Sequence, residues 1–301
     1  MLGAARTANW AGWWNTQPNA TGGTVSYFQP AGPGTQIYKI HTFSTVGTDT
    51  FTVTSPGQME YTVCGSGGGG GGGWWGSINQ IATGGSGGAG AQIKQSGKYW
   101  FNGSYTVTVG AAGTGGQLDI NGDIAPTAGG NSSVWTITAT GGNPGSNCAE
   151  LTTPGPSGGS NSDYAGGTGF ARTYVGGNDL TNSGGGAGAR AVGGNAANPN
   201  TGTGGVGGDG LLMTGWYTDQ SNVYFGSGGG GAKNGQGGAD SGGDAGTGDA
   251  YNQNPGGAGT WYGSGGGGGW GGTADTLGSP GGDGYKGVVM IRYKVPTNPY
   301  P

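Results

Sequence analysis

The chain has 301 residues, of which 83 are glycine and only 8 % are charged, with a formal net charge of −4. This excludes a long helical or coiled-coil protein, which needs abundant Ala, Leu, Glu, Lys and Arg. It also excludes collagen, because no strict Gly-X-Y period runs through the sequence. The sparse Lys and Arg, 10 in all, argue against nucleic acid as a partner, since that needs a basic patch.

Glycine inside a helix or strand costs about 0.5–1 kcal/mol relative to alanine. A chain with this much of it is therefore either disordered or built on a structure in which glycine is required. Aromatic residues reach 10 %, including 10 Trp and 14 Tyr, whereas disordered segments are poor in them; an ordered chain is expected. No apolar run has the length of a membrane-spanning helix. The first ten residues lack the apolar core of a signal peptide. Cys64 and Cys148 make no disulfide framework; they could form one bridge, and two separate thiols are the expectation.

Residues 1–36 differ from the rest. They carry Trp10, Trp13, Trp14, Tyr27 and Phe28 among small polar residues and end in the Pro- and Gly-rich stretch 29–34. They read as an attachment or oligomerisation segment. Alternation with period 2 then predicts strands over 37–43, 50–54, 59–64, 104–109 and 133–139, and a nearly continuous apolar strand over 287–295. His41, beside Lys39, is expected on the solvent side of its strand. No stretch has the periodicity of an amphipathic helix.

Glycine tracts lie between these strands: 67–73, 184–186, 228–231 and 265–269. An extended left-handed helix with about three residues per turn leaves its N–H and C=O groups pointing outward. Neighbouring chains can satisfy them if no Cβ intervenes. The expected fold is thus mainly β with a glycine-rich polyglycine II-like helical bundle, small antiparallel β-sandwich elements and almost no α-helix. The expected organisation is an N-terminal segment (1–36), a glycine-rich domain (37–295) and a C-terminal tail (296–301).

Three blocks carry a family resemblance. The stretch from Ile40 through Phe43 and Val53, then Glu60 to Gly67 running into poly-Gly, resembles the opening of a glycine-rich domain common in bacteriophage tail-fibre and adhesin-like proteins. Tyr105 to Gly116 resembles its middle strand, and Gly282 to Tyr293 its closing strand. The blocks occur in the family's order and span roughly 37–295. Two departures stand out: Cys64 replaces a small apolar residue, and 140–225 is longer and richer in Asn and aromatics. The resemblance implies a virion protein assembled in the host cytoplasm. Its partners would be other virion proteins, docked through the N-terminal segment, and a host cell-surface glycan or protein. A homo-oligomer, most simply a trimer, is implied as well.

Catalytic motifs are weak. Gly84-Gly-Ser-Gly-Gly88 matches the nucleophile-elbow pattern by chance in a chain this rich in glycine, and one histidine would have to serve as its base. A phosphate-binding loop is absent, because Gly97-Lys98 leads to Tyr99 rather than Ser or Thr. Gly176 to Leu180 matches a single turn of a calcium-binding β-roll, a site that needs tandem copies. Asp240, Asp244 and Asp249 read as solvated turn residues rather than cation ligands. No catalytic residue, metal or cofactor is expected.

The aromatic clusters beside the glycine tracts are the strongest functional signal. Trp216, Tyr217, Trp261, Tyr262 and Trp270 are the candidate contact residues. They read either as exposed platforms for a host-surface group or as small cores and a subunit interface, since aromatics are enriched at both. The function expected is a non-enzymatic tail-fibre or fibre-tip protein. A capsid decoration or collar protein is the alternative, and a glycan-degrading enzyme, which needs paired carboxylates, is the more distant one.

Overall fold

A computed structural model describes residues 17–30, 36–76, 81–118, 123–148, 157–169, 173–175, 178–197, 203–214, 216, 223–232, 235–238, 242–243, 254–271 and 278–295. Fourteen strands occur among them. In chain order they are β1 (Asn19–Thr21), β2 (Thr24–Phe28), β3 (Ile37–Phe43), β4 (Gly47–Cys64), β5 (Trp75–Gly76), β6 (Ile81–Thr83) and β7 (Ile93–Val109). They continue with β8 (Ser132–Val134), β9 (Ile137–Ala139), β10 (Thr173–Val175), β11 (Asn178–Thr181), β12 (Leu211–Leu212), β13 (Tyr224–Phe225) and β14 (Val288–Val295).

The alternating Val, Ile, Thr and aromatic residues form one eight-stranded antiparallel sheet in the order β2-β3-β14-β4-β7-β8-β9, with β1 paired to β4. Such residues suit a pleated, half-buried surface. The closing strand β14 lies centrally between β3 and β4, which explains its continuous apolar run: both of its faces are covered. The stretches predicted at 50–54 and 59–64 are two halves of one strand, β4, interrupted by a bulge between Val53 and Gly57 where Pro56 sits. Proline is tolerated in a strand at such a bulge. The stretch predicted at 133–139 is a hairpin, β8 and β9, with Trp135 in its turn.

The two faces of this sheet bury separate clusters. On one, Phe43, Phe51, Met59, Val63, Phe101, Val107, Ile291 and Tyr293 pack together. Phe51 stacks edge-on against Phe43 at 6.1 Å and Phe101 at 5.9 Å. β3 and β4 are not neighbours in the sheet, so the Phe43–Phe51 contact means that the sheet curls over this core. On the other face Ile40, Cys64, Val288 and Met290 meet Met213, Trp216, Val223 and Phe225 from the glycine-rich region. Two smaller sheets complete the fold: β10-β11-β6-β5, in which β11 and β6 run parallel, and the pair β12-β13.

The expectation of a polyglycine II-like helical bundle is corrected. The described residues contain no helical element; their regular structure is strand alone. The small sandwich elements are likewise replaced by one large curled sheet with two small sheets beside it. The glycine tracts 67–73, 184–186, 228–231 and 265–269 carry no regular element; they are extended segments tied sideways to distant parts of the chain, and lateral bonding of that kind does not by itself require a helix.

The tract 67–73 shows how. Gly67, Gly70 and Gly73 donate to the carbonyls of Tyr285, Gly282 and Ser279, while Gly68 and Gly71 donate to those of Ala89 and Ser86. The carbonyls of Gly67 and Gly70 accept from Gly113 and Gly116, and those of Gly68 and Gly71 from Gly266 and Gly269. The carbonyl of Gly69 accepts from Gly145. Every residue of the tract is buried. A Cβ on Gly69 would stand 1.9 Å from the Thr114 carbonyl oxygen, and one on Gly71 would stand 1.9 Å from that of Ser146. Glycine is obligatory here because backbone touches backbone.

His41 is also corrected: it is fully buried rather than solvent-facing. The reason is β1, which lies across that part of the sheet and leads into the turn at Gly22 and Gly23, both with positive φ. His41 Nδ1 donates to the Gly22 carbonyl at 2.8 Å, and its Nε2 accepts from the Tyr293 hydroxyl at 3.3 Å. That hydroxyl in turn accepts from the Ala20 amide at 3.0 Å. Lys39 donates to the Ala20 carbonyl at 3.2 Å. Burial lowers the imidazole's pKa, opposed by its bond to Gly22 and reinforced by the Lys39 charge. Burial also pushes the Tyr293 hydroxyl up to about 12.

Two predictions follow from this packing. Gly69→Ala forces a methyl into the Thr114 backbone, and overpacking of this kind costs about 1–3 kcal/mol or more. Gly97→Ala, whose Cβ would meet nothing within 4 Å, is neutral. Urea denaturation of both variants checks the contrast, and equal midpoints would refute it. The second concerns the single histidine. Its unfolded pKa is near 6.5 and its folded value lies lower, so between these the unfolded chain binds more protons. Stability is complete above pH 6.5 and falls as pH drops through that window, by at most about 1.4 kcal/mol per unit. An NMR titration of the imidazole C–H signals in the folded protein should give a midpoint below 6.5; one at or above 6.5 contradicts the buried network.

A candidate recognition cleft on the main sheet

Trp100 lies on β7 between Tyr99 and Phe101. Those two turn toward the curled core, so the strand's period of 2 sends the indole to the opposite face. There it is 42 % exposed. Its direct partner across the β4–β7 ladder is Gln58, also exposed. Two residues along β4, Glu60 stands opposite Arg292 of β14, and two residues further along β14, Lys294 stands opposite Tyr38 of β3. Pairing and alternation therefore set Trp100, Gln58, Glu60, Arg292, Lys294 and Tyr38 on one face.

Two irregularities open this face into a cleft of about 300 Å³. The register shifts between Met59 and Tyr61, leaving Gly97 and Lys98 outside the regular pairing. Such bulges re-aim side chains, and Lys98 lines the cleft. The opposite wall is Gln17 and Pro18, which precede β1. Pro18 approaches because residue 57 is glycine: a Cβ there would lie 2.8 Å from the proline ring.

The charges are arranged unevenly. Arg292 donates through Nε to Glu60 Oε2 at 2.6 Å and pairs with it through a second guanidinium nitrogen. Its guanidinium also lies 4.2 Å from the Trp216 ring centre and 4.8 Å from that of Tyr38. Arginine suits such a place because its planar group stacks and forks at once. Glu60 is thus neutralised within the wall. Lys98 and Lys294 are exposed at the rim, and among the described residues neither forms an ion pair. An exposed indole, two amides and two ammonium groups can hold a ligand by stacking, hydrogen bonding and charge.

The expected contact residues are distributed differently. Trp216 is buried and braces Arg292 from behind. Trp270 is buried against Gly84 and bridges to Gly84 and Asn254. Trp261 and Tyr262 are half-buried; Tyr262 stacks on Phe225 at 5.3 Å and on Tyr285 at 5.8 Å. Tyr27 and Phe28 lie on β2, paired with Lys39 and Tyr38 of the main sheet. Trp10, Trp13, Trp14, Tyr217, Asp240, Asp244 and Asp249 lie outside the described residues.

In the sequence Trp100 is the middle one of three consecutive aromatics, and the alternation that exposes it and buries its neighbours is the signal that sets it apart. A second exposed tryptophan, Trp135, occupies the β8–β9 turn at φ 54° and is 51 % exposed. A non-glycine residue with positive φ is strained; stacking on Tyr99 at 4.9 Å holds it. Cys64 and Cys148 are both buried and are not joined by a disulfide, and burial pushes the Cys64 thiol well above its usual range. Among the described residues no group of three or more His, Cys, Asp or Glu could hold a metal ion, and no helix is long and apolar enough to cross a membrane.

Comparison with curated proteins finds no match. The model of one family, described as the glycine-rich domain, matches residues 44–294. That span runs from the end of β3 to the end of β14, taking in the glycine tracts and most of the strands that line the cleft. The chain belongs to the glycine-rich domain family.

Proposed function

We propose that this chain is a non-enzymatic structural and recognition protein of a phage virion, a tail-fibre or fibre-tip component that contacts the host surface. The observation that carries the reading is the pairing of a body locked by backbone-to-backbone bonds with an open cleft on its sheet. A particle exposed to proteases and shear needs rigidity without mobile side-chain cores, and lateral backbone bonding at obligatory glycines supplies it. The cleft offers stacking and hydrogen-bonding groups rather than a nucleophile beside a base. The chain's single histidine lies on the other face with both ring nitrogens engaged, and Glu60 is tied to Arg292. The part of the N-terminal segment that precedes Gln17 docks on another virion protein or on further copies of the chain.

Immunogold labelling of intact particles with antibody against this chain tests the reading. Label at the tail or fibre tip is expected. Label confined to the head favours a capsid decoration or collar role, and particles free of label overturn the virion assignment.

A further inference from the structure

We infer that the cleft between β4, β7 and β14 binds an acidic saccharide, a sugar ring bearing a carboxylate, as the host-surface ligand of this protein. This rests on the recognition role proposed above and names its chemistry. Three observations point to it, each restricting the ligand in a different way.

Trp100 presents an indole that is 42 % exposed beside the exposed Gln58. A simple anion has no use for an apolar ring, and a purely apolar ligand has no use for flanking amides. A pyranose matches both, since it carries C–H groups on its faces and hydroxyls on its rim. The amides of Gln58 and Gln17, one on each wall, each donate and accept, as a sugar's hydroxyls do.

The charge of the site then selects among sugars. Its one lining carboxylate, Glu60, is held by Arg292, leaving Lys98 on one side and Lys294 on the other as the outstanding charges. A carboxylate on the ring meets an ammonium without competing against a protein acid. Size agrees as well: about 300 Å³ lies at the small end of ligand sites, suited to one or two rings of a longer chain threading an open groove. The walls are preformed, because Arg292 is stacked between Trp216 and Tyr38 and Pro18 is seated on Gly57.

Isothermal titration calorimetry with the full chain tests the proposal in solution, independently of any particle. The probes are oligosaccharides of galacturonic acid and the matching neutral oligosaccharides of galactose. The acidic form should bind at millimolar or better Kd, at least about tenfold tighter than the neutral one, equal to about 1.4 kcal/mol. The preference should shrink at high salt, where exposed charges are screened. Trp100→Ala should weaken both ligands about tenfold, whereas Lys98→Ala with Lys294→Ala should abolish the preference for the acidic form over the neutral one. All of these side chains are exposed, and circular dichroism confirms that the variants fold. Equal binding of the two forms, or no saturable binding of either up to about 10 mM, overturns the proposal while leaving the virion reading to its own test. Acidic binding that persists in Trp100→Ala places the ligand elsewhere and also overturns it.

Discussion

Everything in this molecule depends on the contact of one bare backbone with another. At the centre of the glycine-rich region residues 67–71 are closed in by carbonyl oxygens of other segments, 1.9 to 2.3 Å from where a Cβ would stand. A buried backbone amide without a partner costs about 1–3 kcal/mol, so a core made of backbone is stable only if its N–H and C=O groups are paired. The lateral bonds supply that pairing. Glycine ceases to be a source of excess freedom and becomes a steric condition: the smallest side chain would push the donors and acceptors apart.

The curled sheet solves a different problem. It buries ordinary apolar side chains on both faces and connects the two regimes. One face holds a conventional core of phenylalanine, valine and isoleucine; the other lays Ile40, Cys64 and Met290 against Met213, Trp216 and Phe225. Arg292 lies where the sheet, the glycine-rich region and the open cleft meet. It is stacked by one residue from each of the first two and paired to Glu60 in the wall of the third. A polar site this close to two cores is rigid because its anchor is fixed from both sides.

Much of the β framework could be read from alternation alone, because period 2 survives wherever one face is buried. β3, β14 and both halves of β4 lie where their apolar residues indicate. Other features depended on tertiary context. His41 looked exposed because it alternates with apolar residues beside a lysine, and only the return of β1 over that face buries it. Trp216 and Trp270 sit in loop-like sequence, yet Trp216 packs into the cluster beneath the sheet and Trp270 fills space beside Gly84, partners that a local reading does not find. The bulges that open the cleft arise from register across two strands, a property that neither strand carries by itself. The glycine tracts prompted a helical reading, but their order comes from residues far away in the chain.

The placement of the tract 67–73 has a kinetic consequence. Its partners are drawn from residues 86–89, 113–116, 127, 145–148, 266–269 and 279–285, so the middle of the body closes only when nearly the whole chain is present. No early fragment can complete it, and loops of up to about 200 residues must close first, a cost that rises only slowly with length but that slows folding. Unfolding faces the same condition in reverse: freeing one segment of the centre means breaking bonds to several others at once. A protein of this design folds late and comes apart reluctantly, so its persistence is governed by a rate of opening more than by its equilibrium stability.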